Sequence, residues 1–188
     1  GINMSIRKSI LTGGVTPEEF ESARASIREY NRQVIVDFSI VGVFFFMMPF
    51  AATFFVSDIE LNRIVFGTMT ALMALFAVMG KTMMLHNKRL IDWIVYAFLI
   101  AIMLAGIYMG TFGDSTHSTV AFFVFMFGTP HLFVDKPYKA MLVVAGGSVL
   151  YVPVAIYAKV PECLPIDMMN VGVYGGVTLI LLPFLMGI

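Results

Sequence analysis

Apolar residues in this chain lie in six long runs that contain no Lys, Arg, Asp or Glu, at 38–57, 64–80, 93–113, 115–134, 140–158 and 168–188. A helix rises about 1.5 Å per residue, so about 20 apolar residues cross the ~30 Å hydrocarbon core of a bilayer. The pattern therefore predicts an all-α membrane protein whose six transmembrane helices form an antiparallel bundle over 37–188. The spans are expected at approximately 38–57, 64–85, 91–112, 116–134, 139–158 and 167–188.

A polar, amphipathic segment precedes the first span. Thr16 followed by Pro17 and then Glu19 is typical of a helix start with a capping box. The pattern predicts a cytoplasmic or interfacial helix over 16–36. One of its faces carries arginines at four-residue spacing, which are candidates for contact with anionic lipid: Arg24, Arg28 and Arg32. A signal-relay helix and a simple topogenic flank are the alternatives.

Composition narrows the class further. Of the 188 residues 59% are hydrophobic and 13% charged, and the formal net charge is zero, which gives no basic surface for nucleic acid. The single cysteine, Cys163, excludes an internal disulfide.

We interpret the three residues before Met4 as a cloning remnant and 1–15 as a flexible N-terminus. No charged residue follows the sixth run, so we expect more protein beyond Ile188.

The distribution of Lys and Arg predicts the orientation. With six crossings, the segments on the same side of the membrane as the N-terminus hold ten of the twelve Lys and Arg residues. The segments on the opposite side hold the other two, Arg63 and Lys159. Positive charge is concentrated in cytoplasmic loops, so both termini are expected in the cytoplasm. The outer loops are then 58–63, 114–117 and 159–167.

Two groups of residues inside the spans are candidates for function. Pro130, His131 and Pro183 are candidates for signal relay, because Pro interrupts helix hydrogen bonding and an intramembrane His is either structural or proton-sensing. The second group lies toward the outer side and forms either a ligand cavity or an ordinary interfacial Tyr belt. Its members are Tyr108, Thr111, His117, Thr119, Tyr151, Asn170 and Tyr174.

Catalytic chemistry is not indicated. The sequence has no nucleophile–base pair, no phosphate loop and no paired His or Cys spacing. We therefore expect no catalytic residue, no metal and no cofactor in this chain.

Three motifs resemble a known family. They are Thr16-Pro-Glu-Glu-Phe20, Gly106-Ile-Tyr-Met-Gly-Thr111 and Pro130-His-Leu-Phe-Val-Asp-Lys-Pro137, within six spans that follow an Arg-rich helix. This resembles the N-terminal membrane sensor region of bacterial GGDEF-domain diguanylate cyclases of the Firmicutes type, although no GGDEF sequence is present. The resemblance implies a multi-pass protein of the bacterial inner membrane. It also implies a C-terminal cyclase domain that makes cyclic di-GMP, and a homodimer, because each cyclase active site needs two halves.

The sequence thus favours a sensory input domain that binds an unknown small molecule near its outer face. The alternative is the substrate-binding subunit of a small-solute, vitamin-type importer, which has similar size and topology. The bulky residues of 40–50 argue against that subunit, whose first span would carry small residues. A structural or assembly protein and an unnoticed enzyme are further alternatives.

Overall fold

The computed structural model describes residues 16–56 and 60–185, and within these ranges it contains helices and no strand. The helices are α1 (Pro17–Ala52), α2 (Glu60–Lys81), α3 (Met83–His86), α4 (Lys88–Gly110), α5 (Ala121–Gly128), a 3-10 helix (Thr129–Leu132), α6 (Pro137–Ala158), α7 (Leu164–Asn170), a π-helical segment (Val171–Gly175) and α8 (Gly176–Leu185). The all-α class is confirmed over these ranges. The predicted N-terminal region 1–15 lies outside the described residues.

Within 16–56 and 60–185, five stretches are long and apolar enough to cross a bilayer: Glu18–Ala52, Glu60–His86, Lys88–Gly110, Pro137–Ala158 and Leu164–Leu181. They correspond to the first, second, third, fifth and sixth predicted spans. The chain is therefore a membrane protein by helix length and composition. The antiparallel bundle and the orientation of the helices stay predictions.

The fourth predicted span, 116–134, is shorter than expected. Residues 116–120 are not helical, and the helical part comprises the 8 residues of α5 and the 4 residues of the 3-10 helix. These helical residues together rise about 20 Å, less than the ~30 Å core of a bilayer. Tertiary contacts of the segment before α5, described below, take the place of helical hydrogen bonds there.

The helix start at Thr16 has the predicted capping box. The backbone N–H of Glu19 donates to Thr16 Oγ1 at 3.2 Å, and the backbone N–H of Thr16 donates to Glu19 Oε2 at 2.8 Å. The predicted interfacial helix and the first span are one continuous helix, α1, of 36 residues. The helix continues because no Gly or Pro interrupts it before Gly42.

The described residues form two compact units, the first within 28–101 and the second made of 16–27 and 102–185. In the first unit, α1 and α2 approach each other at glycines. A Cβ atom at Gly42 would lie 2.9 Å from Met73, and one at Gly67 would lie 2.9 Å from Phe50. A side chain at either glycine would therefore require Met73 or Phe50 to shift.

The second unit has a continuous apolar core. Its buried members come from α4, α5 and α6: Met103, Ile107, Phe122, Phe123, Met126, Ala140, Val144, Tyr151 and Ala155. Gly106 lets α5 approach α4, because a Cβ there would lie 3.1 Å from Phe122 Cα. Gly172 and Gly176 have no neighbouring atom within 4 Å of a built Cβ, so neither glycine allows a comparable close approach among the described residues.

Gly80 offers a test of α1–α2 packing. A methyl group at Gly80 would collide with Val36 Cγ2. The distance from that methyl group to Val36 Cβ would be 3.7 Å, which is an ordinary van der Waals contact. Gly80→Ala should lower the free energy of unfolding by about 1–3 kcal/mol, the usual penalty for overpacking. In a Val36→Ala background the same change should be neutral or stabilising by up to ~1 kcal/mol, because Ala favours helix over Gly.

Denaturant unfolding of the four proteins in detergent, followed by circular dichroism, measures this coupling. Gly146→Ala is the control, since Gly146 lies in α6 with no atom within 4 Å of a built Cβ. Equal destabilisation by Gly80→Ala in both backgrounds would contradict the packing described for this position.

Candidate functional site

The second unit contains a fully buried ion pair. Lys159, at the C-terminal end of α6, places its Nζ atom 2.8 Å from Oδ2 of Asp167, in the first turn of α7. Both side chains are 0% exposed. Burying an ion costs several kcal/mol unless its remaining protons and lone pairs also have partners. The surroundings of this pair must therefore supply such partners.

The ammonium group of Lys159 is satisfied by three further oxygens. Nζ donates to the backbone carbonyl of Gly110 at 3.0 Å, to Thr119 Oγ1 at 2.9 Å and to the backbone carbonyl of His117. The Gly110 carbonyl is at the C-terminal end of α4, where helix carbonyls lack intrahelical partners. A cation at that end also complements the helix dipole.

The carboxylate of Asp167 is satisfied in the same way. It accepts hydrogen bonds from the backbone N–H of Thr119 at 3.0 Å and from the hydroxyl of Tyr151 at 2.9 Å. Thr119 Oγ1 lies 2.5 Å from both Gly110 O and Tyr151 Oη. We call these five residues, Gly110, Thr119, Tyr151, Lys159 and Asp167, the Thr119 network.

Aromatic and small residues position the network. The ring of Tyr151 stacks on Phe122 with 4.5 Å between centroids and 5° between planes, which directs its hydroxyl toward Asp167. Gly110 is required for the approach of Thr119, since a Cβ there would collide with the Thr119 methyl group. The network therefore fixes segment 111–120 against the ends of α4, α6 and α7.

A cavity of about 340 Å³ adjoins this network. Thr119, Val120, Phe123 and Val124 line one part of it, and Asn170 and Tyr174 line the other. Phe123 is buried, and its ring centroid lies 5.6 Å from that of Tyr174. We call this space the Asn170 cavity. Thr119 belongs to both the cavity and the network, so the two are physically joined.

The seven outer residues that were predicted to form one group lie at several different places in the structure. Thr119, Asn170 and Tyr174 line the cavity, and Tyr151 lies behind it in the network. Thr111 is buried, but its hydroxyl donates to the backbone carbonyl one turn earlier in α4, that of Ile107, at 2.6 Å. It therefore offers no hydroxyl proton to a ligand.

Tyr108 and His117 lie elsewhere. The ring of Tyr108 stacks on Phe112 with 6.3 Å between centroids, and Phe112 lies 6.2 Å from Tyr157, which is 83% exposed, as an interfacial belt would be. His117 is exposed, with Nδ1 3.0 Å from Asp114 Oδ1. That hydrogen bond lowers the pKa of Asp114, and nearby backbone N–H groups lower it further.

The arginines predicted to contact lipid mostly bind protein groups. Arg28 donates from Nε to Asp92 at 3.0 Å, and Arg32 donates to the Gly80 carbonyl at 2.9 Å. Their side chains are 16% and 14% exposed, whereas that of Arg24 is 42% exposed. Contact of the whole row with headgroups stays a prediction, and these protein contacts would compete with it.

The relay candidates lie in irregular or terminal helical segments. Pro130 and His131 are in the 3-10 helix, where His131 Nδ1 is buried and has no hydrogen-bond partner among the described residues. Pro183 lies within α8.

Sequence reasoning missed Lys159 and Asp167, which it assigned to a solvated outer loop. Their partners Gly110 and Thr119 are 40 to 49 residues away in the chain, so no local pattern indicates the network. A weak signal was available: both charges directly flank apolar runs, where an ionisable residue is costly unless it is paired.

Over 16–56 and 60–185, no group of three His, Cys, Asp or Glu side chains is placed to hold a metal ion.

Comparison with known proteins identifies no relative, since no family model, no curated protein and no solved structure matches this chain. The site must therefore be interpreted from its own geometry.

The buried pair gives a direct prediction. Lys159→Met leaves a buried carboxylate without its cation, and Asp167→Asn leaves a buried ammonium without its anion. Each single change should lower the free energy of unfolding by about 3–5 kcal/mol. The double variant should recover most of that loss, because no uncompensated charge remains. The amide oxygen can still accept the hydrogen bond from the backbone N–H of Thr119, and the new NH2 group can donate to the hydroxyl oxygen of Tyr151.

Denaturant unfolding in detergent measures the cycle. The control is the exposed pair of α1, Arg24 and Glu21, where the corresponding single changes should alter stability by less than ~1 kcal/mol. Additive losses in the Lys159 and Asp167 double variant would show that the two charges are not coupled.

Proposed function

We propose that this chain is the transmembrane input domain of a bacterial signalling protein, and that a small molecule binds in the Asn170 cavity. The observation that carries the proposal is the position of the cavity. One wall is held by the buried Thr119 network, and the other is the start of the last helix. A bound molecule would thus contact a fixed element and a second element that leads toward the C-terminus.

The last helix is suited to two arrangements. Its hydrogen bonding changes to π-helical over Val171–Gly175, directly at the cavity, and π segments often occur at functional sites. Thr178, which follows, is fully buried, and its hydroxyl has no hydrogen-bond partner among the described residues. Irregular backbone and an unsatisfied buried hydroxyl are both features that a ligand-induced rearrangement could relieve.

Coupling requires a difference in affinity. A ligand shifts an equilibrium between two helix arrangements only if it binds one arrangement more tightly than the other. Asn170 precedes the π segment and Tyr174 belongs to it, so a molecule in contact with both would distinguish the two arrangements. The resemblance to diguanylate cyclase sensors supports a cyclase as the output, with a homodimer as the working state.

The excess of Lys and Arg on one side supports an orientation with cytoplasmic termini and an outward-facing cavity. Cys163 allows a test, since it is the only cysteine of the chain and is partly exposed on the proposed outer side. In intact cells a membrane-impermeant maleimide should label Cys163. Lys88→Cys in a Cys163→Ser background should be labelled only after permeabilisation, and the reverse pattern would overturn the orientation.

Signalling is tested by cyclic di-GMP in a bacterium that expresses the complete gene product and lacks other cyclases. Tyr174→Ala, which opens the cavity at the π segment, should change the basal level or the response by about fivefold or more, the effect of ~1 kcal/mol of coupling. Tyr108→Ala is the matched control, because Tyr108 lies outside the cavity, and it should leave the level within about twofold of wild type. Equal levels in wild type and both variants, or no cyclic di-GMP from the wild-type protein, would count against this function.

A further inference from the structure

The lining of the Asn170 cavity restricts the chemistry of its ligand. Val120, Phe123 and Val124 provide an apolar and aromatic wall, and the ring of Tyr174 contacts that of Phe123, with 47° between the ring planes. Such a wall favours a ligand with a flat or aliphatic body. The volume of about 340 Å³ is at the small end for ligand pockets, which suits a molecule about the size of one substituted ring.

Asn170 supplies a polar group for orienting such a molecule. Asn170 is the only amide residue among the lining residues of the cavity, and it is partly exposed there. An amide offers two donor hydrogens and one acceptor oxygen. Its best complement is therefore a neutral group that both donates and accepts, such as a carboxamide.

Charge is disfavoured in this cavity. None of its lining residues is Lys, Arg, His, Asp or Glu. The ionised groups of the adjoining network, Lys159 and Asp167, are fully buried, bind each other and carry no net charge as a pair. A charged ligand would lose its hydration and gain no ionic partner, which is costly in an apolar site.

We propose that the Asn170 cavity binds an uncharged small molecule that has an apolar or aromatic body and a carboxamide-like group hydrogen-bonded to Asn170. This inference rests on the proposed sensor function and specifies the ligand of that site. The body packs against the rings of Phe123 and Tyr174, which contact each other at one side of the cavity, and the polar group bonds the residue that precedes the π segment.

Three probes of nearly equal shape test the charge preference: benzamide, benzoate and benzamidinium. Binding is measured by ligand-observed NMR to the whole protein in lipid nanodiscs, where acyl chains compete for the cavity throughout. Benzamide should bind with a dissociation constant of about 1 mM, as expected for so small a ligand. The two ions should bind at least about tenfold more weakly.

Two variants locate the binding. Asn170→Leu should weaken benzamide binding by about fivefold, the effect of one hydrogen bond. Val124→Trp should abolish it, because Val124 is 57% exposed and a larger ring there fills the cavity from its edge. The matched controls are Gln33→Leu, which removes an exposed amide from α1, and Val149→Trp, at a 74% exposed valine of α6 outside the cavity. Both should leave benzamide binding unchanged.

The outcomes separate this inference from the function on which it rests. Tighter binding of benzoate or benzamidinium that Val124→Trp still abolishes would overturn the ligand class and leave the cavity as the sensor site. Binding that neither Val124→Trp nor Asn170→Leu affects, or no binding of benzamide to wild type, would overturn the site itself. The cyclic di-GMP assay with Tyr174→Ala then decides independently whether the signalling function survives.

Discussion

The second compact unit depends on one interaction, the ion pair between Lys159 and Asp167. Neither side chain contacts solvent, so each ion has lost its hydration, at a cost of several kcal/mol. The cost is offset only when the pair forms together with its hydrogen bonds to Gly110, Thr119 and Tyr151. A partly formed network would be less stable than an apolar core of the same volume. The ends of α4, α6 and α7 and the segment before α5 must therefore assemble together.

The buried ion pair also restricts the shape of the cavity, because Thr119 belongs to both the network and the cavity. Its backbone N–H and hydroxyl bind Asp167, Gly110 and Tyr151, while the residue also lines the cavity. Thr119 cannot move toward or away from a ligand without breaking bonds to a buried charge. The rest of the lining is less restricted, because Tyr174 is 43% exposed and belongs to the irregular π segment. A ligand would thus displace the last helix more readily than the wall built by the network.

The sequence predicted what depends on local periodicity and missed what depends on distant contacts. Helix class, five spanning helices and the reciprocal bonds between Thr16 and Glu19 follow from spacing within a few residues. The fourth span was predicted too long, because an apolar run does not reveal that 116–120 is held by tertiary hydrogen bonds. Lys159 was missed because its partners lie 40 or more residues away in the chain. Hydropathy also cannot distinguish a tyrosine of an interfacial belt from Tyr151, which the fold buries with its hydroxyl on a carboxylate.

The ion pairs of this chain differ greatly in what they can contribute. The side chains of Arg24 and Glu21 are 42% and 56% exposed, so solvent screens this pair and it contributes at most ~1 kcal/mol. Among the ion pairs of the described residues, only Lys159 and Asp167 are wholly removed from solvent. A buried pair contributes little net stability compared with apolar residues, but it tolerates few alternative arrangements of its partners. Its value in a sensor would be specificity: it fixes one wall of the cavity, so that the free energy of ligand binding acts on the other.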